Sequence, residues 1–354
     1  MPFLPPEALA DEASIAATSA RAVTLARRGD TRAALNLALQ ARRRARSLES
    51  TRGELDALNA AAVVHLIRGD AVAAVAASLD ARELARRAGD PSQCCQAALS
   101  LQMSAFILEV GDESLGELRA CVELGCESKD AALELRARGA LGVVLGDRGR
   151  FDAAAYEFER ALTLAHAFPE SGSAARITAN VANLHRKRAV TLMHSGFEAR
   201  AMRECRVSLQ VARRACELAA QEEEVPVEID ALAIAGCVSE LAGDSARARV
   251  LMRESIALGH AARCPSAIVW VLCELGRFAL AAGDFEEARV AYGQALELAC
   301  ELRPSRKIGK ACLGLAEVSQ RCGDPIAEAA WRERAAEESA AFEIARLQTR
   351  RQVA

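Results

Sequence analysis

The chain has 354 residues, 51% hydrophobic and 26% charged, a globular balance that excludes wholesale disorder. Aromatic residues make up only 4%, too few for a β-sandwich, and a formal net charge of −3 gives no global field toward nucleic acid or an anionic membrane. No apolar run approaches the roughly 20 residues of a membrane span. The opening MPFLPPEALADEAS lacks the basic and apolar segments of a secretory leader, so a cytoplasmic protein is expected. Ala, Leu, Arg and Glu dominate, which favours an all-α fold. Length alone allows two domains.

A repeat removes the need for two. Helix-length segments with apolar residues at three- and four-residue steps alternate with one turn signal. That signal recurs along the chain at Gly29-Asp30, Gly69-Asp70, Gly111-Asp112, Gly149-Arg150, Gly196-Phe197, Gly243-Asp244, Gly283-Asp284 and Gly323-Asp324. The spacings are 40, 42, 38, 47, 47, 40 and 40 residues. The glycine ends one helix in the left-handed conformation, and the aspartate caps the next. Small residues recur in register: five after the turn glycine (Ala34, Ala74, Gly116, Ala154, Ala201, Ala248, Ala288), twelve after it (Ala41, Ala81, Ala161, Ser208, Ser255, Ala295), and seven before it (Gly142, Gly236, Gly276). The third unit departs with Glu123 at the twelve position, and the fifth has Arg188-Ala189 for Leu-Gly. Pro91, Pro169, Pro226, Pro265 and Pro304 fall between units, where one helix stops and another starts; Pro325 opens the last helix. The two 47-residue spacings contain FPESGS (168–173) and QEEEVPVE (221–228), so longer helices or longer loops flank the fifth unit.

These offsets resemble the tetratricopeptide repeat (TPR). Two units carry the likeness most fully, LGVVLGDRGRFDAAAYEFERAL from Leu141 and LGRFALAAGDFEEARVAYGQAL from Leu275. The usual repeat is about 34 residues; the longer units here are similar to those of bacterial regulators and signalling proteins. The resemblance implies an all-α, right-handed α-solenoid of about eight helix-turn-helix repeats, a single unit over 1–354. The repeats are expected at 8–48, 51–88, 92–127, 130–167, 172–220, 226–262, 266–302 and 305–345. Residues 325–354 form a longer C-terminal capping or connector helix, with Trp331, Ala335 and Phe342 as its apolar stripe.

The resemblance also implies where a ligand would sit. In TPRs the first helix of each pair lines the concave face, at thirteen, ten, six, three and two residues before the turn glycine. On this chain those positions give Asp56 and Asn59, then Arg136 and Asp147, then Asn183, Arg186 and His194. They continue with Asp230 and Glu240, Trp270 and Arg277, and Lys310, Glu317, Gln320 and Arg321; the third unit offers Leu101 and Leu108. ANVANLHRKRAV adds Asn180 and Lys187 on adjoining faces of one helix. Amide side chains there suit a peptide backbone, and Arg or Lys suits a carboxylate or phosphate. TPR co-chaperones clamp a C-terminal carboxylate with similar residues, but their spacing across repeats is not reproduced here. Trp270 is either a groove anchor or a core residue.

The residues offer little for catalysis. His65, His166, His185, His194 and His260 are scattered over four units, with only His185 and His194 sharing one, and no H-E-x-x-H, G-x-S-x-G or phosphate-binding glycine loop is present. Twelve cysteines are scattered without a C-x-x-C pair, which suits reduced thiols serving as small apolar residues. The basic runs ARRRARS (41–47) and RLQTRRQVA read as solvated helix faces. No cofactor or metal is expected, and no nucleic-acid or membrane partner. The chain is expected to enter its first repeat directly, without the preceding bundle that some bacterial TPR regulators use as phosphatases. The expected function is therefore a non-enzymatic scaffold that binds a protein or peptide segment in its concave groove, in bacterial signalling. The alternative is a ligand-sensing TPR region like those that control a diguanylate cyclase, without the GG(D/E)EF output domain, relaying or forming a homodimer through the last helix.

Overall fold

The structure, a computed structural model, describes residues 6–108, 114–169, 173–301 and 306–353. Among the described residues it has sixteen helices and no strand. The first eight are α1 (Pro6–Arg27), α2 (Thr31–Ser47), α3 (Thr51–Arg68), α4 (Ala71–Ala88), α5 (Pro91–Ile107), α6 (Ser114–Ser128), α7 (Ala131–Asp147) and α8 (Phe151–Ala167). The second eight are α9 (Ala174–His194), α10 (Glu198–Gln221), α11 (Val225–Leu241), α12 (Ser245–Ala261), α13 (Pro265–Ala281), α14 (Phe285–Glu301), α15 (Arg306–Arg321) and α16 (Pro325–Val353).

The turn signal has the expected local physics. Gly29, Gly69, Gly149, Gly196, Gly243, Gly283 and Gly323 all have positive φ; Gly111 lies outside the described residues. At Gly69 the amide donates to Leu66 O at 3.0 Å and Asp70 N donates to His65 O at 2.9 Å, closing the end of α3. Asp30, Asp70, Asp244, Asp284 and Asp324 then accept from the third amide beyond them. The turns between units repeat this geometry with Gly89 and, less expectedly, with Glu49, Lys129, Glu223 and Arg263 at φ of 52–55°. No glycine marks those four, so they were invisible as turn signals. Pro91, Pro226 and Pro265 occupy first-turn positions of α5, α11 and α13. Pro304 and residues 170–172 lie outside the described residues.

Small residues let each helix pair close. Ala34, Ala74, Ala154, Ala201, Ala248 and Ala288 are all fully buried. Ser208 and Ser255, at the twelve position, donate to Ala182 O and Ile229 O on the preceding inner helix at 2.7 and 2.9 Å. The third unit corrects the expected register. Gly116 is exposed with nothing within 4 Å of an added Cβ, whereas Leu118 is buried. Glu123 is exposed too, and Gly125 takes the close-packing place: a Cβ there would stand 2.7 Å from Glu134 N. The buried face of α6 is thus displaced by two residues relative to its turn signal. The two long spacings are taken up by longer helices, 21 residues in α9 and 24 in α10.

Consecutive odd-numbered helices pack on one another, from α1·α3 to α13·α15, while no such extensive packing joins the even-numbered ones. The odd helices therefore form the inner layer of a curved stack, and the even helices the outer. Ordinary solenoid units touch only their neighbours. This one closes on itself. Ser266 on α13 donates to Ile67 O on α3 at 2.9 Å, and an added Cβ on Gly29 would stand 3.0 Å from Ala262 O. Arg27 lies 3.6 Å from Glu224, and Arg28 pairs with Glu223. The far end of α16 returns as well: Phe342 is buried with Val75 of α4, Leu101 of α5 and Leu108 at the cap of α5. Nearer its start, Ala335 is buried and Trp331 packs against the last core cluster. No helix is long and apolar enough to cross a membrane among the described residues.

Candidate ligand-binding lumen

The closed turn gives the inner face an interior. Arg27 from α1, Arg136 from α7, Arg176 from α9, Asp230 from α11, Trp270 from α13 and Lys307 from α15 converge there, with Glu224 at the start of α11. Glu224 is almost wholly buried between Arg27 and Arg176, which lies 3.8 Å from it on the other side. Arg176 also lies 3.6 Å from Asp230, and the Trp270 indole N–H donates to Asp230 Oδ1 at 3.0 Å. Lys307 donates to Ser266 O at 3.4 Å.

Asp230, Lys307 and Arg136 are desolvated by the protein around them. Burial pushes the Asp230 carboxyl above the usual range, against the pull of Arg176 and the Trp270 hydrogen bond. Its side chain nevertheless keeps 35% of its exposure. Burial likewise lowers Lys307, with Asp230 opposing. Protein thus desolvates the Asp230 carboxylate while part of its surface stays exposed. Arg136 is lowered by burial first and by the like charge of Arg27 second, with Asp130 opposing.

The sequence-derived positions divide. Arg136 and Trp270 stand in the lumen. Asn59 is 7% exposed and donates to Gln93 Oε1 at 2.6 Å, while Gln93 donates to Asp56 Oδ1 at 3.0 Å. Asn59 is therefore committed to bridging α3 and α5. Arg186 donates to Asn183 Oδ1 at 2.9 Å, and Lys187 pairs with Asp147 of the preceding unit. Asn180 is half-buried on the same helix. Arg186, Glu274, Arg277 and Lys310 all face the Cys237 thiol, which burial pushes up to about 11. Within that strip Glu274 is pushed up by burial but brought below its ordinary value overall by Lys310 at 2.7 Å and by Arg277. His194 and Gln320 are exposed near the turns, and His194 Nδ1 meets Val190 O at 2.8 Å.

Arg27, Arg176, Glu224, Lys307 and Ser266 were not found from sequence. A signal existed for one of them. Asp56, Gln96, Arg136 and Arg176 are each 40 residues apart, and Arg136 donates to Gln96 Oε1 at 3.4 Å across that step. Counting backward from Gly196 through the lengthened α9 selects Asn183 instead. Glu224 and Arg27 meet only because the superhelix closes, and no local pattern encodes that.

Among the described residues no group of three His, Cys, Asp or Glu could hold a metal ion. All twelve cysteines are free thiols. His185 Nδ1 meets Glu204 Oε2 at 2.6 Å, between the two helices of the fifth unit.

Among solved structures the chain is similar to a Rap protein complexed with competence and sporulation factor, with a TM-score of 0.58 and 13% identity over 96% of this chain and 99% of that one. It is also similar to the Rap conjugation gene regulator of the plasmid pLS20 in complex with the Phr* peptide, with a TM-score of 0.57 and 14% identity over 84% and 77%. The apo quorum sensor NprR from B. thuringiensis follows at 0.51 and 13% over 88% and 83%. No family model matches the sequence, and no curated protein matches it. The fold is that of a TPR-type all-α helical-repeat solenoid.

Proposed function

We propose that the protein is a non-enzymatic receptor or scaffold that holds a short peptide segment in its inner lumen, acting in bacterial cytoplasmic signalling. The observation that supports this best is the convergence of inner helices from units one, four, five, six, seven and eight on one lumen. It presents both signs of charge and one indole, and it lacks a catalytic constellation among the described residues. The solved structures of similar fold that hold competence and sporulation factor or the Phr* peptide support the same reading. A rigid, preformed lumen lowers the ordering cost of an extended peptide, because the receptor side chains are already fixed by their ion pairs. Asn183 and Arg186 offer an amide and a guanidinium on the more open strip, next to Arg277 and Lys310.

A second reading, a sensor that relays ligand binding through the last helix, is favoured by one contact. Phe342 ties the end of α16 to α4 and α5, so a change in superhelical pitch would be felt there. In that reading the exposed Ile344 and Leu347 of α16 supply a homodimer surface.

The peptide fraction of the source cells supplies the test. Peptides retained by the immobilised protein are sequenced, synthesised and titrated calorimetrically into the intact chain and into the Asn183→Ala/Arg186→Glu variant. The proposal expects saturable binding by the intact chain, weakened about tenfold or more in the variant at unchanged helicity. Equal binding by both would remove the assignment of this strip.

A further inference from the structure

Two arginines two residues apart on α7 have opposite circumstances. Arg138 is buried and fully paired, 2.7 Å from Glu134 and 2.7 Å from Glu157. Arg136 points to the lumen with no carboxylate within 4 Å among the described residues, and its one hydrogen bond runs to the neutral Gln96 Oε1 at 3.4 Å. The like charge of Arg27 acts on it as well. Among the described residues, Glu224 and Asp230 are the carboxylates of the lumen, and Asp130 acts on Arg136 from beyond ion-pair distance. Glu224 and Asp230 are engaged with Arg27, Arg176 and Trp270.

An enclosed guanidinium without a counter-ion is costly to the folded state. Its remaining N–H donors match a carboxylate in a planar, two-point fashion.

We infer that Arg136 is the anchor for a carboxylate of the bound peptide, with Arg27 supplying a second positive charge across the lumen. This rests on the peptide reading and deepens it by naming the ligand group. The α-carboxylate at the peptide's C-terminus and an acidic side chain share that chemistry, and the test separates them.

The test has two arms. In the first, the thermal midpoint of the ligand-free Arg136→Gln protein is compared with that of the intact chain. Removing an unpaired enclosed charge is expected to leave the midpoint unchanged or raise it. A clear drop would make Arg136 a structural residue and overturn the inference. In the second, immobilised protein is exposed to three position-scanning pentapeptide libraries. One is a free acid without Asp or Glu, one is its C-terminal amide, and one is an amide that includes Asp and Glu. Retained peptide is quantified by mass spectrometry.

The intact chain is expected to retain the free acid, or the Asp/Glu-containing amide, about tenfold over the amide that lacks all carboxylates. Arg136→Gln is expected to bring that ratio near one, while Arg214→Gln on the outer layer keeps it. Retention of all three libraries alike would overturn the anchor and leave the peptide reading standing. Retention of none would remove both. Competition by inorganic phosphate at lower concentration than acetate would also overturn the carboxylate assignment.

Discussion

The ring of Tyr292 lies against Gly276: a Cβ at residue 276 would stand 2.9 Å from Cδ2, Cε2 and Cζ of that ring. The two positions are seven before and nine after a turn glycine, and their counterparts obey a size rule along the solenoid. Gly142 faces Phe158 and Gly236 faces Met252, with would-be Cβ distances of 2.5 and 2.9 Å. In units one, two and five the first position is alanine and the second is small. Ala22 stands with Ala38, Ala62 with Ser78, and Ala189 with Cys205, all buried. The last unit departs, with Ala316 and the exposed Arg332. Each of the other six pairs keeps one close approach, filled from one side or shared by both.

Gly276→Ala is therefore expected to overpack, at a cost of about 1–3 kcal/mol. In a Tyr292→Leu background the same change should cost little, because the ring it strikes is gone and alanine favours a helix. A double-mutant cycle by urea denaturation reads the coupling. Equal costs in the two backgrounds would show that the ring and the glycine do not constrain each other.

Gly283→Val places a β-branched residue at φ of 78° and should destabilise by roughly 1–3 kcal/mol. Gly116→Ala, in the displaced third unit, should instead be neutral or stabilise by about 0.5 kcal/mol, since its surroundings are open. Thermal melts of the two variants check both. A destabilised Gly116→Ala would restore the register expected from the sequence.

Closure of the superhelix depends on Glu224, held between Arg27 and Arg176. Glu224→Gln should loosen the contact between the first and sixth units and increase the radius of gyration in small-angle scattering. Identical scattering profiles would mean that Ser266 and the Gly29 turn hold the closure without this carboxylate.

His65 gives a pH dependence. Burial lowers its pKa, with Arg68 adding to the effect and Asp70 at 3.8 Å opposing it. Its Nδ1 is buried without a hydrogen-bond partner. The folded state thus favours the neutral ring, so this contribution is present above the unfolded pKa of about 6.5 and is lost as pH falls. The difference in stability between the intact chain and His65→Gln should shrink from pH 7.5 to pH 5.5. A constant difference would deny the histidine its role.

Most of the fold was legible because it is written locally. A glycine at positive φ, an aspartate cap and an alanine at a fixed offset each act within a few residues, and repetition multiplied the signal. The third unit misled because the buried face of α6 lies two residues beyond the place its turn signal predicts, which exchanged Glu123 for Gly125 at the tight contact. The lumen was only half legible. Arg136 and Trp270 lie on unlengthened helices, where counting from the turn works. Arg176 lies on α9, where extra residues break the count, and Glu224 gains its role from a contact about 200 residues away in sequence, between Arg27 and itself.

Trp270 can report on lumen occupancy, because its indole donates to Asp230 while the other tryptophan, Trp331, lies on α16. The measurement is the fluorescence of the Trp331→Phe protein as a retained peptide is titrated, with calorimetry in parallel. For a peptide held in the lumen, the emission of Trp270 changes with the same midpoint as the heat of binding. Saturable heat with unchanged Trp270 emission would place the ligand outside the lumen.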